Sequence, residues 1–131
     1  MIDASVVVKW FSEETGTRSA LKLREDHVDG VRTLLAPDLL LYEVVNALRY
    51  KPGFDEGKVA RAIADLIDIQ VDLIVPGREM AERASGLAYK YDLSVYDSCY
   101  LALSELMGVS LYTSDRRLYD GAKASGLMVL V

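Results

Sequence analysis

The stretch Val109–Val131, VSLYTSDRRLYDGAKASGLMVLV, decides the fold. Val109–Thr113 reads as a strand, Arg116–Ser125 as a helix stopped at Gly126, and Leu127–Val131 as a second strand. Two strands joined through a helix lie parallel, because the helix carries the chain back to the edge it left.

The same alternation continues upstream. Met1-Ile2 ends a strand leading into Asp3, and Ala4–Ser12 holds a short helix. Thr15–His27 has helical spacing in Ala20, Leu21, Leu23 and Val28, and Gly30 stops it. Thr33–Ala36 is a short apolar run, read as a strand. Pro37 follows where a helix can begin, since a first-turn proline forfeits no hydrogen bond. Leu39–Lys51 continues that helix to the Pro52-Gly53 break. Asp55–Ile69 is another helix, Val71–Val75 a strand closed by Pro76-Gly77, and Arg78–Tyr91 a helix with an Ala-rich face. Ser94 or Asp97 can cap the next helix, which runs to Met107 and stops at Gly108. The whole predicts an α/β domain with five parallel strands and helices on both faces. The first strand is very short. Either the natural start lies upstream or that strand is truncated.

The 131 residues match one domain, 1–131, and an apolar half suffices for one core. No apolar run reaches the roughly 20 residues of a membrane span, and no leader pattern is visible, so no membrane partner is expected. Cys99 stands alone in an apolar run and reads as a core residue, which fits a reducing cytoplasm. The net charge of −5 runs against a phosphate-rich partner. Setting aside four acids as metal ligands leaves 16 acidic against 15 basic residues, so charge alone neither supports nor excludes RNA.

In a parallel sheet, function collects beyond the carboxyl ends of the strands. Asp3 and Asp115 each follow a strand there, and Asp97 opens the helix before the fourth strand. Each also suits a helix start, where an aspartate accepts backbone N–H bonds. Glu43, within Leu39–Leu48, has no such explanation: a carboxylate among so many apolar neighbours needs a cation, strong donors or a face turned to water. Asn46, three residues on, can share its face. Carboxylates that converge repel one another, and a divalent cation resolves the repulsion. All-oxygen ligation suits Mg²⁺ or Mn²⁺. Two ions about 4 Å apart would activate water and steady the leaving oxygen of a phosphodiester.

Four segments together resemble the PIN-domain family, above all its VapC-type toxins: Asp3-Ala4-Ser5 with Val6–Phe11, Leu40–Leu48 with Glu43 and Asn46, Tyr96–Ser104 with Asp97, and Leu111–Asp115. They occur in family order over nearly the whole chain. The resemblance implies a three-layer α/β/α sandwich with a five-stranded parallel sheet and Mg²⁺- or Mn²⁺-dependent endonucleolytic cleavage of RNA. It makes Asp3, Glu43, Asp97 and Asp115 the catalytic metal ligands, and Ser5 and Thr113 supporting hydroxyls. It further implies a homodimer and a small antitoxin protein that blocks the groove. Many relatives carry another acid where this chain has Arg117, which bears on a second metal.

Lys9, Arg116 and Arg117 are candidates for holding the RNA backbone. Trp10 reads as core or dimer contact, Arg49 and Lys51 as solvated or helix-terminal charges, and His27 as a surface residue. Tyr89, Tyr91, Tyr96 and Tyr100 fit packing or a dimer face. The chain has no phosphate-binding Gly-rich loop, nucleophile elbow or zinc pattern. A phospho-acceptor receiver needs an aspartate after the third strand, where Pro76 and Gly77 stand instead. A PIN-like module that binds RNA or protein without cutting is the remaining alternative.

Overall fold

The computed structural model describes residues 1–131. Helix α1, Ala4–Val8, follows directly on Met1-Ile2-Asp3, and α2 spans Thr17–Val28. Strand β1, Leu35–Pro37, leads into α3, Leu40–Arg49, and α4, Glu56–Asp68. Strand β2, Asp72–Ile74, is followed by α5, Arg78–Tyr91, and α6, Val95–Met107. Strand β3, Leu111–Thr113, leads through α7, Arg116–Ala122, and a 3₁₀ turn over Lys123–Ser125 to β4, Met128–Leu130. No helix is long and apolar enough to cross a membrane.

Every strand pair is parallel, as the alternation requires. β1 pairs with β2 in the register Leu35↔Asp72, and β3 with β4 in the register Leu111↔Met128. The regular strands therefore form two two-stranded sheets, where the pattern predicted one sheet of five. The difference lies at the first row. Asp3 already caps α1, and Met1-Ile2 before it make a single isolated bridge, Ile2↔Tyr112. These two residues nonetheless touch both pairs: Ile2 N–H donates to Leu35 O at 3.0 Å and Tyr112 N–H to Met1 O at 2.9 Å.

Two other expectations shift. Pro37 does not open a helix; it is the last residue of β1, opposite Ile74, and Asp38 N–H extends that pairing to Ile74 O, so α3 starts only at Leu40. The last predicted turn of the Arg116–Ser125 helix tightens into 3₁₀ geometry. Gly108 and Gly126 do stop their segments, in left-handed conformations with φ of 65° and 75° that side chains with a Cβ disfavour.

One core joins these elements. Ile2, Val6, Val7, Leu40, Leu48, Leu87, Leu101 and Leu111 are fully buried. Trp10 belongs to the same cluster, its indole N–H satisfied by Ala20 O at 2.9 Å. His27 serves the scaffold too: its ring lies within hydrogen-bond reach of Leu34 N, Arg32 O and Gln70 O. Cys99 is half-buried against the core. Leu101 sits on α6, which packs along α5. Its truncation in Leu101→Ala leaves a cavity, and a loss of about 2–5 kcal/mol in urea unfolding is expected. A loss below about 1 kcal/mol would mean that this helix pair collapses freely, contrary to the packing described.

Candidate active site

Asp3 is where sequence, fold and chemistry meet. It leaves the short first strand and caps α1, and the residue is 4% exposed. Oδ1 accepts from Val6 N at 3.1 Å and from Ser5 Oγ at 2.6 Å, while Oδ2 accepts from Thr113 Oγ1 at 2.5 Å. The two hydroxyls also tie the end of β3 to α1: Ser114 N–H donates to Ser5 Oγ at 2.8 Å, and Asp115 N–H to Thr113 Oγ1 at 2.9 Å. Burial pushes the Asp3 carboxyl up from 3.8 to about 6, against the pull of these donors, and Asp115 adds a smaller push in the same direction.

Asp115 caps α7. Both capping bonds, from Arg117 N at 2.8 Å and Leu118 N at 3.2 Å, fall on Oδ1, so Oδ2 is left open. Arg116 and Arg117 begin that helix, exposed and without an ion pair. On α6 the capping role belongs to Ser94, whose Oγ accepts from Asp97 N at 3.0 Å. Asp97 itself lies half-buried in the first turn, its carboxylate without a hydrogen bond inside the chain.

Glu43 is half-buried on α3 and meets the hydroxyl of Tyr100, which donates to Oε2 at 2.5 Å. Burial raises the Glu43 carboxyl above its ordinary range, the Tyr100 bond opposes that rise, and the charges of Asp97 and Asp3 add to it. The Tyr100 phenol is driven far above its usual range, first by burial and then by Glu43, Asp3 and Asp97, so it remains a donor at any working pH. Tyr100 is thus more than the packing residue its spacing suggested. The signal for it was its place three residues after Asp97, one turn along the same helix.

Among the four acids, Asp115 bears on Asp3, and Asp97 and Asp3 bear on Glu43. They do not form a closed cluster: no three acidic, histidine or cysteine side chains are placed to hold one metal ion. The four acids expected to share a metal site stand here in an open arrangement. Asp3 and Asp115 spend oxygens on backbone and hydroxyl donors, and Glu43 leans on Tyr100. The donor set still suits a hard divalent cation, since every available ligand is an oxygen and added positive charge would offset the burden on Asp3. Asn46, expected beside Glu43, is exposed and lines a shallow outer hollow with Tyr42 and Arg49.

A family model described as PIN domain matches residues 1–124. The chain is 31% identical over 124 residues to Ribonuclease VapC3 of Pyrobaculum aerophilum, covering 92% of each sequence. Among solved structures it resembles a toxin–antitoxin complex from Klebsiella pneumoniae, with a TM-score of 0.66 at 17% identity over 98% of this chain and 93% of that one. It also resembles PAE2754 from Pyrobaculum aerophilum, with a TM-score of 0.63 at 23% identity over 92% of this chain and 83% of that one. At such identities the two structures speak for the fold alone.

Proposed function

Because the chain belongs to the PIN-domain family, we propose that it is a metal-dependent endoribonuclease that hydrolyses RNA phosphodiester bonds, and that it acts as the toxin of a toxin–antitoxin pair. The observation that carries this reading is the buried Asp3 carboxyl held between α1 and the end of β3 by Ser5, Thr113 and Val6 N–H, with Asp115 just beyond β3 and Glu43 bonded to Tyr100 on the helix that carries Asp97.

In this reading the strand pairs and Met1-Ile2 act as five rows of one interrupted sheet, ordered β2, β1, Met1-Ile2, β3, β4. The acids then lie beyond its carboxyl ends, inside a single domain. Asp3 is the fixed member, its oxygens held by three donors. Glu43 keeps one oxygen on Tyr100 and one free. Asp97 and the outer oxygen of Asp115 complete the set that would hold Mg²⁺ or Mn²⁺. The cation would supply positive charge to the phosphodiester oxygens while its bound water becomes easier to deprotonate. Ser5 and Thr113 keep Asp3 from turning away, and Arg116 and Arg117 stand close enough along the chain to meet the RNA backbone. A cytoplasmic homodimer, restrained by a small antitoxin, completes the proposal.

The test is cleavage of a mixed-sequence RNA with Mg²⁺ or Mn²⁺, with and without chelator, by the parent chain and by Asp97→Asn. Metal-dependent cutting that the substitution weakens is expected. Equal cutting by both pure proteins would overturn the site, and RNA binding without any cutting would turn the chain into a non-catalytic binding module.

A further inference from the structure

A groove lies beside the carboxylate site, between α1 and the end of α3. It has a volume of about 600 Å³, and its walls include Ser5, Lys9, Glu14, Lys51 and Ser114. Ser5 and Ser114 belong to the hydrogen-bonded knot around Asp3, so the groove reaches Asp3 through one hydrogen-bonded residue, although none of the four acids lines it. Ser114 also brings a buried hydroxyl without a partner. Two ammonium groups stand on the walls and only one carboxylate, in a chain whose net charge is −5. The larger groove beside α2 and β4 differs: its acids outnumber its bases, its Lys22 and Arg32 are both paired to Asp26, and neither Ser5 nor Ser114 lines it.

Both lysines are provisionally engaged. Lys9 Nζ donates to Thr15 O at 2.6 Å, and Lys51 Nζ pairs with Glu14 Oε2 at 2.9 Å, with the two side chains 28% and 35% exposed. Neither ammonium caps its own helix; both reach across to the loop between α1 and α2. Such a half-exposed pair contributes little to stability, and a competing anion can replace its carboxylate at small cost.

We propose that this groove carries the RNA strand away from the acidic site, with Lys9 and Lys51 receiving backbone phosphates and the Glu14 carboxylate standing in for phosphate on Lys51 until RNA arrives. The inference rests on the ribonuclease reading and adds the path of the substrate and a built-in competitor for it. Lys51 becomes a binding residue rather than a helix-terminal charge.

A plain loop staple makes a contrary demand. If the Lys51–Glu14 pair only pins the loop, then Lys51→Gln and Glu14→Gln act alike on every readout. If the groove binds RNA, the two act alike on thermal stability but oppositely on RNA affinity. The probe is a fluorescein-labelled single-stranded RNA of mixed sequence, titrated in Mg²⁺ onto the full chain carrying Asp97→Asn to suppress cutting, from 50 to 200 mM salt. Lys51→Gln and Lys9→Gln are each expected to weaken binding several-fold and to lower the slope of log Kd against log salt by about 0.7. Glu14→Gln is expected to tighten binding. Loss of affinity in both Lys51→Gln and Glu14→Gln, or no change in either, overturns the inference and leaves the groove to a protein partner. A parent chain that cuts RNA while giving that result keeps its function and loses this path; a chain that neither binds nor cuts loses both.

Discussion

Asp3→Asn is expected to lower metal-dependent RNA cleavage about a thousandfold and, in the same protein without metal, to raise stability at pH 7.5. The activity loss follows from removing the charge of the most rigidly held acid in the site. The stability gain follows from where that charge lies. In the folded chain the carboxyl titrates at about 6 against an ordinary 3.8, with burial the largest cause. The folded state thus holds the Asp3 proton more tightly than the unfolded chain does. Its advantage is complete below about pH 4 and is lost as pH climbs through 6, so ionised Asp3 burdens the fold by up to about 3 kcal/mol at neutral pH. Asparagine keeps the geometry. Its carbonyl can accept from Val6 and Ser5, its amide can donate to Thr113 Oγ1, and the two residues are equal as helix caps. Urea unfolding in chelator should therefore separate parent and variant at pH 7.5 and bring them together at pH 4. A variant less stable than the parent at pH 7.5 would show that the Asp3 charge supports the fold instead of burdening it, and undiminished cleavage would remove Asp3 from the chemistry.

The same residue explains how much could be read from the chain beforehand. Strand–helix alternation is a local property, so it located nearly every element and the parallel pairing. The continuity of the sheet is not local. It depends on whether Met1 and Ile2 can pair on both sides at once, and Asp3 takes the backbone into a helix before a regular ladder forms. Pro37 misled for a related reason: a proline that suits a helix start also suits a strand end whose N–H is not needed.

Among the candidate residues, the positions of the acids relative to helix starts and strand ends were legible, because both are local features of the chain. For Asp3 and Asp115 the capping and chemical readings coexist, since capping leaves one oxygen of Asp115 open and fixes Asp3 in place. For Asp97 they separate, because Ser94 takes the cap. Distances between side chains from remote segments were not legible. Asp3 has both oxygens on nearby donors, whereas Glu43 and Asp115 each keep one free and the Asp97 carboxylate has no partner within the chain, a division that no spacing along the sequence reveals. Tyr100 was hidden for the same reason. Its ring packs as the apolar pattern demands, and only the tip of the side chain, 57 positions from Glu43 in sequence, reveals its second task.

That task makes Tyr100→Phe the second large effect. The substitution keeps the buried ring and deletes one oxygen, so the fold should survive with little change. Glu43 loses its only hydrogen-bond donor within the chain and with it a fixed rotamer on a half-buried helix face. A fall of about ten- to a hundredfold in metal-dependent cleavage is expected, carried by kcat with KM for RNA nearly unchanged, as for other residues that orient a ligand without touching substrate. The pH profile distinguishes positioning from packing. The Tyr100 bond holds the Glu43 carboxyl down against burial and against the charges of Asp97 and Asp3, so its removal lets that carboxyl rise further. The acid limb of the kcat profile should move to higher pH, and part of the lost rate should return on raising the pH or the Mn²⁺ concentration. A packing role alone would depress the rate evenly across pH. A Tyr100→Phe protein with the parent's kcat and an unmoved acid limb would show that Glu43 finds its working position without help, and that the hydroxyl serves only to keep a buried ring satisfied.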